Sequence, residues 1–129
     1  MREILFRGKR TDNGEWVYGY VCCYGWTGKE NTYIVPNYAS ALYSLEVDPK
    51  TVGQCIGLKD RNGINIFEGD IVKRVWLGKM SVYQIVYDND LASFIGQAGI
   101  KFTTFDYDST EFEVVGNIYD NKLEGFTNG

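Results

Sequence analysis

Three groups of side chains in this sequence could do chemistry. Asp60, Glu68 and Asp70 fall close together, and paired carboxylates can exchange protons or hold a metal ion. Asp60, however, stands beside Asn62-Gly63, and Asp70 follows Gly69. In both places a short acidic side chain ordinarily bonds its own backbone in a turn. A second acidic set comprises Asp88, Asn89 and Asp90, with Asp106, Asp108 and Glu111 further on. The spacing and closing Glu of an EF-hand loop are missing, so a solvated loop is expected. Cys22, Cys23 and Cys55 could supply a nucleophile, but apolar neighbours raise a thiol pKa. There is no His, which removes the commonest general base and the commonest zinc ligand. The three Cys have no metal-type spacing, and Cys22 and Cys23 should point to opposite faces of a strand. We expect reduced, buried thiols behaving as small hydrophobes. No catalytic residue, metal ligand or cofactor-binding residue is assigned, and no cofactor is expected.

Two further groups suit binding rather than reaction. Lys73, Arg74 and Lys79 surround Trp76, and cations beside an aromatic ring can neutralise phosphates and stack bases. The plainer reading is a strand protected from aggregation by its charges. Trp16, Tyr18, Tyr20 and Tyr24, with Tyr38 and Tyr43, could instead form a protein-binding face, because aromatic side chains dominate interface hot spots. Packing between strands competes with that reading. Yet a small fold cannot bury all ten of the chain's Tyr. Self-association would use the same aromatic surface.

Composition narrows the classes. A chain of 129 residues is expected to be one domain with a core that needs no staples. Its net charge is −4, which argues against nucleic acid as the principal partner, since such surfaces concentrate Lys and Arg. No apolar run is long enough to span a membrane, and no basic-then-apolar leader precedes the first strand-like segment. The expectation is a soluble, unexported protein with no membrane partner.

The elements that must position these groups are strands. Arg2–Gly8 reads as a strand and Asn13-Gly14 as a hairpin turn. Glu15–Tyr24 alternates, with Trp16, Tyr18, Tyr20, Cys22 and Tyr24 on one face and Val17, Gly19, Val21 and Cys23 on the other. Gly25–Asn31 reads as a polar loop and Thr32–Val35 as a short strand. Asn37–Glu46 is open between a short helix and loop plus strand. Asp48-Pro49 starts a single helical turn, Asp48 capping it. Strands are then expected at Gln54–Leu58, Ile64–Phe67, Ile71–Leu77 and Met80–Tyr87. Two short strands around Gly96–Gly99 and a last one at Glu111–Tyr119 follow, and residues 120–129 read as a flexible tail. Such spacing indicates an all-β barrel or sandwich with at most short helical turns.

The run Gly53–Lys73, Gly-Gln-Cys-Ile-Gly-Leu-Lys-Asp-Arg-Asn-Gly-Ile-Asn-Ile-Phe-Glu-Gly-Asp-Ile-Val-Lys, resembles the signature of the YopX family of small phage and prophage proteins of bacteria. Arg2–Arg7, Trp16-Val17-Tyr18-Gly19-Tyr20, Val52 and Glu113–Asn121 extend the resemblance, in order, over nearly the whole chain. Cys55-Ile56 departs from the more usual aromatic-Thr pair, and Ile64-Asn65 is less basic than usual. Residues 25–45 and 88–110 carry little family character. The resemblance implies an SH3-like β-barrel with additional short strands. It also implies a phage or prophage origin and a cytoplasmic location in the bacterial host. It brings no activity and no active site. Together these readings lead to a non-enzymatic binding module for an unidentified host or phage protein, with homo-oligomers expected. The alternative is a nucleic-acid accessory protein using Lys73, Arg74, Trp76 and Lys79.

Overall fold

The computed structural model describes residues 4–26, 29–36, 44–105 and 111–120. The expected helix or strand at 37–43, Arg2 and Glu3 of the first strand, and the tail from 121 onward lie outside the described residues. Eleven strands are present among those described: β1 Phe6–Lys9, β2 Trp16–Trp26, β3 Lys29–Pro36, β4 Leu45–Glu46, β5 Gly53–Lys59, β6 Asn65–Phe67, β7 Asp70–Trp76, β8 Lys79–Asp88, β9 Ser93–Ala98, β10 Lys101–Thr103 and β11 Phe112–Asn117. The chain is all-β, with one 3-10 turn at Pro49–Thr51. Every strand pairing described is antiparallel, and neither sheet closes into a barrel among the described residues. The chain divides into two compact units, residues 1–55 and 56–129.

The first unit orders its strands β4-β3-β2-β1-β5. Alternation along β2 drives its packing. Val17 turns inward with Ile34 and Val47, all under a tenth exposed, and Val21, Leu45 and Val52 pack against them. The β1–β2 connection closes with Arg10 N–H donating to Glu15 O, while Asn13 Oδ1 accepts from Glu15 N–H. At the 3-10 turn Asp48 Oδ1 accepts the Lys50 N–H and Pro49 opens the turn, as the Asp-Pro pair predicts.

One expectation is corrected here. The loop expected at 25–31 is largely strand, because β2 and β3 stay paired as far as Trp26 opposite Lys29. Polar residues along that ladder hid the hairpin from a reading based on apolar alternation.

In the second unit the latter part of β5 neighbours β6, and a five-stranded sheet runs β10-β9-β8-β7-β11. Ile56, Ile66, Val72, Tyr83, Ile85 and Phe112 form its core, with Leu58, Phe94, Ala98, Phe105 and Val114 packed on it. Phe105 meets Phe112 edge to face at 4.9 Å between centroids. Between β6 and β7 the chain turns at Gly69, φ +93°, where a Cβ would stand 2.9 Å from the Tyr119 ring. A side chain there would meet both that ring and the left-handed backbone penalty. Gly96 does not open a turn. It lies inside β9, opposite Ile85, because its missing side chain makes room for Tyr83. The turn comes later, between Ala98 and Lys101, which pair across it.

Candidate functional site

The aromatic face expected on β2 exists in the first unit, and β1 completes it. Arg7 lies opposite Tyr18, and Lys9 opposite Trp16. Directly opposed residues share one side of a sheet, so both cations join the aromatic side. The Arg7 guanidinium carbon sits 4.5 Å from the centroid of the Trp16 ring, and Lys9 Nζ lies at 5.6 Å. Arg7 is buried and Trp16 half-buried. This stack fixes the indole by cation–π attraction. Tyr18 and Tyr20 follow along the strand, 44% and 51% exposed, so packing between strands covers these two rings only in part. Across from Tyr20 and Cys22 stand Val35 and Tyr33 of β3, both half-buried. Tyr24 has its backbone in β2, but its side chain lies outside the described residues, as do Tyr38 and Tyr43.

This arrangement offers a firm cationic-aromatic floor and two tyrosines whose rings are half in water. Rings with few rotatable bonds lose little entropy on being covered, so such a surface suits docking more than reaction.

The basic hairpin is differently employed. Lys73 Nζ stands 3.6 Å from Glu113, and Arg74 3.8 Å from Glu111. The Arg74 guanidinium also lies over Phe112 and Tyr83, at 5.2 and 5.8 Å. Trp76 and Lys79 pair across the strands nearer the turn, and Trp76 is 58% exposed. Two of the four residues are thus tied into the second unit.

The carboxylates serve the fold. Asp60 is 2% exposed; its Oδ1 accepts from the N–H groups of Asn62 and Ile64, and its Oδ2 from Val114. Burial pushes its carboxyl up, but those three donors and the nearby Arg61 charge outweigh it, leaving the pKa lowered. Asp70, also 2% exposed, accepts the Phe67 N–H through Oδ2 at 2.8 Å, and Glu68 is half-buried at the corner. Asp88 Oδ1 closes its own loop by accepting from Asp90 and Leu91. Asp106 and Asp108 lie outside the described residues. Among those described, no three His, Cys, Asp or Glu side chains gather as metal ligands. A cleft of about 460 Å³ beside Lys9, Glu46 and Asp48 holds Thr51, whose hydroxyl accepts from Lys9 N–H and donates to Asp48 O.

The thiols are free and differ in exposure. Cys55 is buried and Cys22 half-buried, but Cys23 is exposed, against the expectation of three buried thiols. Its stretch of β2 lies opposite the polar Thr32 of β3 instead of over the apolar core. Under native conditions a thiol reagent should therefore modify Cys23 first and Cys55 only on unfolding. Mass mapping of labelled peptides reads this, and prompt labelling of Cys55 would refute its burial.

Comparison with known proteins follows this geometry. The YopX family, described as YopX protein, matches residues 5–124. No curated protein matches. Among solved structures, the crystal structure of protein EF1440 from Enterococcus faecalis is similar, at a TM-score of 0.52 and 21% identity, covering 94% of this chain and 96% of that one. At that identity the likeness speaks for fold alone. No helix among the described residues is long and apolar enough to cross a membrane.

Proposed function

This chain belongs to the YopX family, and from that membership we propose that it is a phage- or prophage-encoded, non-enzymatic binding module for a host or phage protein. It acts in the cytoplasm of the bacterial host through the aromatic face of its first unit. The observation that carries the reading is the pair Tyr18 and Tyr20, about half exposed beside an indole already fixed under Arg7. A partner covering these rings gains hot-spot contacts on a surface that needs little ordering. Support for a non-enzymatic role comes from the absence of His and from the backbone bonds that occupy Asp60 and Asp70. Closure of the strands into an SH3-like barrel belongs to this proposal too, and an experimental structure with a closed strand order would bear it out.

Affinity capture from a bacterial lysate tests the binding role when wild type is run beside a Tyr18→Ala, Tyr20→Ala variant. Both rings reach solvent, so the variant should keep its fold. A specific protein should be retained by wild type and lose about 10-fold or more of its retention with the variant. Equal retention, or no enriched protein, would remove the reading. Nucleic-acid binding through Lys73, Arg74, Trp76 and Lys79 is less well supported, since Glu113 and Glu111 already engage two of its cations. Gel shifts along a salt series address it. Phosphate contacts require binding that weakens steeply with salt, and no shift at low salt ends that alternative.

A further inference from the structure

The five-stranded sheet of the second unit has two unlike ends. Because its strands alternate in direction, the turns after β7 and after β9 lie at one end. The loop between β8 and β9 and the end of β11 lie at the other. At the first end, turn positions that normally take polar residues carry large aliphatic ones. Leu77 is 88% exposed and Ile100 fully exposed. Leu77 also holds φ +52°, a conformation that costs a non-glycine residue about 1 kcal/mol.

Successive strand residues face opposite ways, yet Val75 and Trp76 are 59% and 58% exposed. The β7–β8 ribbon has therefore left the packed body, with both faces in water. Met80 and Phe102 are exposed as well, at 64% and 58%.

Charge separates the two ends. Lys79 and Lys101 are exposed at the first, and neither has a carboxylate partner among the described residues. Glu111 and Glu113, at the β11 edge of the sheet, are already engaged by Arg74 and Lys73. At the opposite end stand Asp88 and Asp90, and no Lys or Arg is described there. That end is also partly apolar, with Leu91 50% and Tyr87 44% exposed.

We propose that the chain self-associates head to tail through this sheet, the Leu77 and Ile100 end of one copy seating on the Asp88–Leu91 end of the next. A second copy fits because the chain itself carries the complement: apolar surface on both ends, cations on one and carboxylates on the other. A two-fold contact would set Lys79 and Lys101 against their own copies. The opposed charges favour the heterologous arrangement, which builds a ring if the rotation closes and an open chain if it does not. This surface shares no residue with the aromatic face, so the failure of either proposal leaves the other standing.

Two variants and their mixture test it. The head variant is Leu77→Asp with Ile100→Asp, and the tail variant is Asp90→Lys with Leu91→Asp. All four side chains are exposed, and circular dichroism should show each variant folded. In sedimentation velocity at tens of micromolar, wild type should run larger than a monomer, and more so at low salt than at high. Each variant alone should be monomeric, its association at least about 100-fold weaker. Mixed, they should form a heterodimer and nothing larger, since each retains one intact end. A monomeric wild type overturns the proposal. So does a tail variant that still dimerises, which would indicate a two-fold contact between heads. A monomeric wild type that floats with phosphatidylglycerol vesicles, and loses that with the head variant, would reassign the surface to lipid.

Discussion

Replacing Asp60 with alanine should lower the unfolding free energy by roughly 3–5 kcal/mol, enough to leave the second unit marginal or unfolded at 37 °C. Asp60 has three N–H donors at 2.8 to 2.9 Å. Two are local, holding the turn between β5 and β6. The third, Val114, is 54 residues away, and the adjacent Arg61 N–H donates to Phe112 O. This turn therefore covers the outer edge of β11, whose other edge pairs with β7. Alanine leaves all three donors without their acceptor, and uncovers a strand edge as well. Asparagine is the sharper probe. Its one carbonyl oxygen can serve one side of the site, while its NH₂ faces a donor on the other, so a loss of about 2–3 kcal/mol is expected at neutral pH.

The pH dependence distinguishes a charged anchor from a merely well-packed one. The folded pKa of Asp60 is lowered, so the group binds its proton more readily in the unfolded chain. Its contribution is then complete above the unfolded value, about pH 4, and is lost as pH falls through the folded one. Urea melts should show wild type weakening on acidification across that window. The gap between wild type and Asp60→Asn should narrow as pH falls. A gap that stays constant from neutral to acid would show that the carboxylate charge is not what the three amides recognise.

Asp60 also marks how far the sequence could be read. Its turn role follows from Asn62-Gly63 alone, and the Asp48-Pro49 cap and the alternation of β2 were equally plain, because each is written within a few residues. The Val114 bond was not, since nothing local says which distant amide completes a carboxylate. Exposure was similarly illegible. The apolar run entering Trp76 and Leu77 has the composition of a core strand, and only the three-dimensional register shows it leaving the body. The same applies to Cys23, which keeps the alternation of β2 after the core beneath it has ended. For the aromatic face, the sequence supplied Trp16, Tyr18 and Tyr20 but not Arg7 or Lys9. Those two arrive through the β1–β2 register, which is a property of the pairing. The Gly53–Lys73 stretch was legible for the same reason as the Asp60 turn: it spells turns and corners, whose chemistry is written within a few residues.

The second large effect is expected at Gly19, between the two exposed tyrosines. A Cβ there would collide with the Val35 carbonyl oxygen and would stand 2.8 Å from its carbon and 2.9 Å from Pro36 Cα. All three are backbone atoms of the neighbouring strand, so no side chain can swing aside. Gly19→Ala must push β3 away from β2 where Gly19 lies opposite Pro36, or bend β2 itself. A cost of about 3 kcal/mol is expected, at the upper end for overpacking because the collision is backbone on backbone. Gly14→Ala is the control. Nothing lies within 4 Å of its Cβ, but φ is +73°, so only the backbone term of about 1 kcal/mol applies. Thermal melts of the two variants separate close approach from conformational freedom, and equal shifts would refute the assignment. The position also explains why the face has a glycine at its centre. At this end of the β2–β3 ladder the Val35–Pro36 backbone comes so close that Gly19 can carry no side chain, and that approach sets Tyr18 and Tyr20 on either side of a tightly held point. Gly19→Ala should therefore lose partner retention together with near-ultraviolet dichroism, whereas Tyr18→Ala with Tyr20→Ala should lose retention with the melt nearly unchanged.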